Sequence, residues 1–105
     1  MKTKNIYRIL ANLLKYAGQN DFDNQLISAE KLKMSYSEWE QLMILLQKNG
    51  YVDGVIYTQT LSDRFPKITD ISHVTITLDG IEYVEENSTM KKVGDALKMA
   101  GEIFG

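Results

Sequence analysis

The stretch from Ser35 to Gly54, SYSEWEQLMILLQKNGYVDG, changes its period at Gly50, and this change limits the fold more than any other feature of the chain. Before Gly50, Trp39, Leu42, Met43 and Leu46 share one side of a helix, at the three- and four-residue spacing of a buried stripe. After it, YVDGVIYT (51–58) is β-branched and aromatic, the composition of a strand. Ser35 with Glu38, and Ser37 with Glu40, are overlapping capping boxes that fix where the helix starts. Gly50 is expected to end it in the left-handed conformation. A helix that gives way abruptly to a strand suits the second helix of a helix-turn-helix followed by a wing.

The residues upstream supply the other helices. Ile6, Ile9, Leu10, Leu13, Leu14 and Ala17 line one face of an amphipathic helix that Gly18 ends. Lys4, Arg8 and Lys15 cluster on the opposite face, either as a solvated surface or as a phosphate-contacting stripe. QNDFDN (19–24) is a polar loop, and Gln25, Leu26 and Ile27 are expected to form a very short strand. Ser28 is an N-cap for a short helix over 29–34, and a turn at Met34 and Ser35 leads into the long helix.

Downstream, VTIT (74–77) alternates as a half-buried strand and pairs with 51–58. The polar connection between them, 58–73, holds the only proline, Pro66. No Asn-Gly or Asp-Gly turn stands at its tip, so the tip is expected to be mobile. His73 is placed on the wing strand. Thr77 is a cap for a helix over 78–87 with Leu78, Ile81 and Val84 inward. Asn87, Ser88 and Thr89 then break it before a last helix from about Met90 to Phe104.

The element order predicts an α+β fold: a winged helix-turn-helix of three helices and a small antiparallel β-wing, with a C-terminal helical extension. The 105 residues are expected to form one domain, with 1–77 as its core and 78–105 as C-terminal helices. A chain of this length buries roughly 65% of its unfolded surface and needs neither metal nor disulfide to fold.

Two runs, the first of them the end of the opening stretch, carry a family resemblance. LLQKNGYVDG (45–54) and ITLDGIEYVEENS (76–88) contain the patterns L-x-x-x-G-Y-[IV] and [IL]-T-x-x-G-x-x-Y-[LV]-E-x-N-S. In these, and in element order over the whole chain, the sequence resembles the YjcQ-like family of small winged-helix proteins from Gram-positive bacteria and their prophages. The resemblance implies a fold and a prophage context, and it supplies no catalytic residues. The matching residues also have structural reasons to be there: Gly50 as a helix end, Tyr51 and Val52 as the start of the wing, Gly80 for close packing on the hairpin, and Tyr83 at the rim of the core.

Enzymatic chemistry finds little support. There is no cysteine and one histidine, so neither a zinc site nor a Ser-His-Asp arrangement can be assembled. Neither of the Gly-rich phosphate-binding motifs occurs. Glu82, Glu85 and Glu86 have the spacing of a solvated helix face, not of a calcium loop. We expect no catalysis, no metal, no cofactor and no small-molecule substrate. The chain has no span long enough for a bilayer and no signal-peptide pattern, which predicts a soluble cytoplasmic protein without a membrane partner.

Two kinds of partner stay open. The formal net charge of −2 hides a basic N-terminal segment and an acidic one at 78–86. In the duplex-DNA reading, a prophage regulator or accessory factor would read bases with Ser37, Gln41 and Lys48, the polar residues opposite the Trp39 stripe. Lys4, Arg8, Lys31, Lys33, Arg64 and Lys67 would contact phosphates. Ile44, on the same outward side, would touch a thymine methyl. Against this, Glu38 and Glu40 outweigh Lys48 on the reading helix, and affinity for DNA comes largely from neutralised phosphates. In the protein-partner reading, Ile44 and the partly exposed Leu45 are an interface, and so is the last helix. Met90, Val93, Leu97, Ala100 and Phe104 there follow an a/d spacing, either as a homodimer seam or as packing on their own domain.

Overall fold

The computed structural model describes residues 3–88. Helix α1 (Thr3–Lys15) buries Ile9, Leu10 and Leu13 and half-buries Ile6 and Leu14. Ala17 lies beyond the helix end and is exposed, so the predicted stripe is one residue too long. The chain leaves through Gly18 at a φ of 83°.

Residues Asn24–Ile27 form a single 3-10 turn where a strand was expected. Local bonds satisfy the backbone without a partner strand: the Asp23 carboxylate accepts the Gln25 N–H at 2.9 Å, and the Ser28 hydroxyl donates to the Gln25 carbonyl at 2.9 Å. The turn drives Ile27 fully into the core. Ser28 then caps α2 (Ala29–Leu32) by accepting the Lys31 N–H at 3.1 Å. This helix is shorter than its expected span because Lys33 adopts the left-handed conformation, at φ 57° and ψ 44°. Met34 closes the turn by donating its N–H to the Ala29 carbonyl at 2.9 Å.

Helix α3 (Tyr36–Lys48) starts at Ser35, whose hydroxyl accepts the Glu38 N–H at 3.2 Å. The Ser35–Glu38 pair therefore sets the start, and Glu40 is used elsewhere. Trp39, Leu42, Met43 and Leu46 are buried as the spacing predicts. The indole of Trp39 donates to the Ile27 carbonyl at 2.7 Å and so ties α3 to the 3-10 turn. Gly50, at a φ of 82°, ends the helix.

Four short strands follow: β1 (Val52–Asp53), β2 (Ile56–Thr58), β3 (Lys67–Asp70) and β4 (Thr75–Ile76). β1 pairs with β4 and β2 with β3, both antiparallel, with an irregularity between Ile56 and Tyr57. The expected strand over 51–58 is thus split, and its outer half finds a partner inside the supposed loop. The split falls at Gly54, at a φ of 90°, where any Cβ would run into the His73 carbonyl. His73 occupies a turn between β3 and β4 and is not on a strand. The tip is a hydrogen-bonded turn: one Asp63 carboxylate oxygen accepts the Thr60 N–H at 3.1 Å and the Thr60 hydroxyl at 3.0 Å. Those bonds hold the Asp63 carboxyl below the usual carboxylate range.

Helix α4 begins at 78 and continues through the last described residue, 88. The Thr77 hydroxyl accepts the Gly80 N–H at 3.1 Å, and it donates to the Gly50 carbonyl. Gly80 and Val84 face inward, with Ile81 half-buried, but Leu78 is 71% exposed, contrary to expectation. A Cβ at Gly80 would lie 2.3 Å from the Tyr51 carbonyl oxygen, so the helix seats its glycine against the hairpin. That seating turns Leu78 to the far side. The helix continues through Asn87 and Ser88, where a break was expected, and their side chains donate to the Tyr83 and Glu85 carbonyls at 2.9 and 3.0 Å. The expected helix over 90–104 lies outside the described residues.

The described chain is therefore α+β, four helices with two small antiparallel strand pairs, an arrangement compatible with a winged helix. Among the described residues no helix is long and apolar enough to cross a membrane.

Candidate nucleic-acid interface

The strand pairs decide which part of α3 stays open. Glu40, expected on the outward side, is only 3% exposed; its carboxylate accepts the Ile68 N–H at 2.9 Å and lies 3.8 Å from the Lys67 ammonium. Ile44, expected to be exposed, is 4% exposed, with Phe65 and Pro66 of the hairpin beside it. Gln47 closes the same side with its carboxamide, donating to the Val55 carbonyl at 2.9 Å and accepting the Val55 N–H at 2.7 Å. The helical wheel gives three neighbouring positions on α3 that the hairpin covers: Glu40, Ile44 and Gln47.

The remaining open arc holds Ser37, Glu38, Gln41, Leu45 and Lys48, with Gln41 half-buried. One acid and one base balance there, because Glu40 has been withdrawn under the hairpin. Lys67 is drawn toward Glu40 and keeps much of its exposure, at 61%. Arg64 is exposed, its guanidinium 5.5 Å from the Phe65 ring centre. The sequence-predicted readers Ser37, Gln41 and Lys48 thus share one face.

Three of the predicted phosphate contacts also meet. Arg8 from α1, Lys31 from α2 and Lys33 from the turn after it line one depression of about 460 Å³, together with Gln25, Ser28 and Glu30. The Arg8 guanidinium donates to the Lys31 carbonyl at 3.3 Å, which orients it across the gap between the helices. Lys4 is exposed on α1 and is not part of this lining. Met90, Val93, Leu97 and Phe104 lie outside the described residues.

Elsewhere the polar surface has local tasks. The Asp70 carboxyl is held below its usual range, chiefly by the N–H and hydroxyl of Ser72. Glu82, Glu85 and Glu86 are exposed along α4. Among the described residues no three acids or histidines gather closely enough to hold a metal ion.

Sequence reasoning missed Glu40 and Gln47 as the clasps between α3 and the hairpin. Neither carried a local signal, since each partner lies in a segment whose path the sequence did not define. The Glu40 clasp is open to test. Glu40→Ala strands the Ile68 N–H and is expected to cost about 1–3 kcal/mol. Glu40→Gln keeps an acceptor and loses only the half-exposed ion pair, so it should stay within about 1 kcal/mol of the wild type. Urea melts followed by circular dichroism separate the two. An alanine variant as stable as the glutamine one would mean that Glu40 does not hold the hairpin.

The family model described as YjcQ protein matches residues 7–103. No curated protein and no solved structure matches the chain.

Proposed function

We propose, for a chain that belongs to the YjcQ family, that this is a winged helix-turn-helix that binds duplex DNA as a regulator or accessory factor of prophage type. In this reading α2 and α3 are the helix-turn-helix, with the left-handed Lys33 at its turn, and the paired strands β1 to β4 are the wing. Ser37, Gln41 and Lys48 on the open arc of α3 face the bases, and Arg64 on the hairpin tip reaches a phosphate. The observation that carries the reading is the convergence of Arg8, Lys31 and Lys33 on one depression beside the turn. Three cations from three segments around one concavity suit a backbone phosphate, and they supply the positive charge that α3 lacks. The role is one of binding and not of catalysis, and His73 stands exposed in the turn between β3 and β4.

A second reading, a protein-interaction module on the same scaffold, is favoured by the apolar residues left open on the hairpin and α3. Leu61 is fully solvated at the tip, and Ile56, Phe65 and Leu45 are each about half exposed.

Salt dependence separates the two. Fluorescence anisotropy with labelled random duplex should show binding at low salt that weakens at least tenfold toward physiological salt. The triple variant Arg8→Ala, Lys31→Ala, Lys33→Ala should reduce the slope of log affinity on log salt by about 2–3. No binding at low salt would rule out the DNA reading for this protein and leave the protein partner.

A further inference from the structure

Between α3 and the hairpin lies a small concavity of about 190 Å³, lined by Gln41, Ile44, Leu45, Lys48, Phe65 and Pro66. Its floor and walls are the side chains of Ile44, Leu45, Phe65 and Pro66, and its rim carries a carboxamide and an ammonium group. We propose that this concavity is an A·T-selective subsite, in which Leu45 and Phe65 receive the methyl group of a thymine while Gln41 pairs with an adenine. The proposal rests on the DNA-binding reading and gives it a base preference.

The chemistry of the open arc points this way. Thymine is the base that presents an apolar group in the major groove, and adenine presents the adjacent donor and acceptor that a carboxamide matches with two hydrogen bonds. Gln41 and Leu45 stand four residues apart, hence one above the other on the helix, so both can meet neighbouring base edges. The Gln41 side chain has no hydrogen-bond partner among the described residues, whereas Gln47, six residues on, spends both ends of its amide on Val55. No arginine lies on α3, and Lys48, about two turns after Gln41, is the cation that α3 brings to the concavity.

Charge complementarity favours DNA over a protein anchor in the socket. Lys48 stands on one side, and Arg64 lies beside Phe65 on the other. The adjoining acid Glu40 is buried against Ile68 and Lys67, which leaves Glu38, a turn nearer the start of α3, as the acid of the open arc. The burial of Ile44 is what builds the socket. Buried to 4% exposure, it lines the socket together with Phe65 and Pro66, and Leu45 takes the outward place that the helical spacing alone had given to Ile44.

The test compares three duplexes of equal length and charge: one rich in A·T, the same one with uracil replacing thymine, and one rich in G·C. Since all three present the same phosphates, differences in anisotropy-derived affinity report the base sequence, and the thymine–uracil pair isolates the methyl group from groove shape. Loss of each contacted methyl should weaken binding about fourfold, and the G·C duplex should bind about tenfold more weakly than the A·T one. Leu45→Ala, at a half-exposed position, should abolish the thymine–uracil difference, and Gln41→Ala should reduce the preference for A·T over G·C. Equal binding to all three duplexes would overturn the subsite while leaving the DNA reading intact. A thymine–uracil difference that survives Leu45→Ala would overturn the role of Leu45. If no duplex binds even at low salt, the DNA reading fails and the socket becomes a candidate contact for an apolar protein side chain.

Discussion

Trp39→Ala should remove about 3–5 kcal/mol of stability through lost packing alone, and up to about 3 kcal/mol more where the Ile27 carbonyl is left without its donor. Trp39 is 5% exposed, packs its ring 5.4 Å from that of Tyr36, and joins α3 to the 3-10 turn through a buried 2.7 Å bond. A domain of this size has about 5–15 kcal/mol in total, so the variant would sit near or beyond the edge of folding. Trp39→Phe refills most of the space and loses only the indole N–H, so its expected cost is about 1–2 kcal/mol. Because Trp39 is the only tryptophan, the melts must be followed by circular dichroism and not by indole fluorescence. If alanine and phenylalanine cost the same, the hydrogen bond dominates and the packing account is wrong.

The features legible in the sequence were those in which a residue acts on its own neighbours. Ser28, Ser35 and Thr77 each cap a helix through a backbone N–H three residues on, and Gly50 ends α3. Such bonds are complete within a few residues, so a short window contains both partners. The same locality explains one error, since Asp23 and Ser28 close the 3-10 turn at 24–27 by bonds that the apolar pair Leu26 and Ile27 concealed. Strand β3 was hidden for a different reason. Lys67, Ile68, Thr69 and Asp70 alternate exposed and half-buried, but Ile68 is the sole apolar residue of the four.

The candidate interface followed from that hidden strand. A helical wheel shows which residues of α3 share a side, and it correctly set Ser37, Gln41 and Lys48 together. It cannot show that β2 and β3 return over the adjoining side to cover Glu40, Ile44 and Gln47. Those contacts span 8 to 28 residues, from Gln47 to Val55 and from Glu40 to Ile68. The meeting of Arg8 with Lys31, 23 residues away, was foreseen only as a list of cations and not as a place. The open face of α3 was thus visible from local periodicity, whereas the balance of charge around it was set by tertiary packing.

Gly54→Ala should cost about 2–5 kcal/mol, because two penalties fall on one residue. The φ of 90° lies where an L side chain is strained, and a Cβ there would be 2.2 Å from the His73 carbonyl oxygen and 2.8 Å from its carbon. Both atoms are backbone, so no side chain can swing aside. Gly18 provides the control: its φ is 83°, and an added Cβ meets nothing within 4 Å. Gly18→Ala therefore carries the conformational term alone, about 1–2 kcal/mol, and the difference between the two variants measures the contact. The clash has a directional consequence as well. Gly54 is the bend at which β1 gives way to β2, so forcing His73 away should tilt β2 and β3 off α3. The Ile68 amide, held by Glu40, and the Val55 amide, held by Gln47, should then lose protection from hydrogen exchange ahead of the α1 core. If exchange instead rises uniformly across the domain, the hairpin and α3 open as one unit, and the groove between them is as rigid as the core.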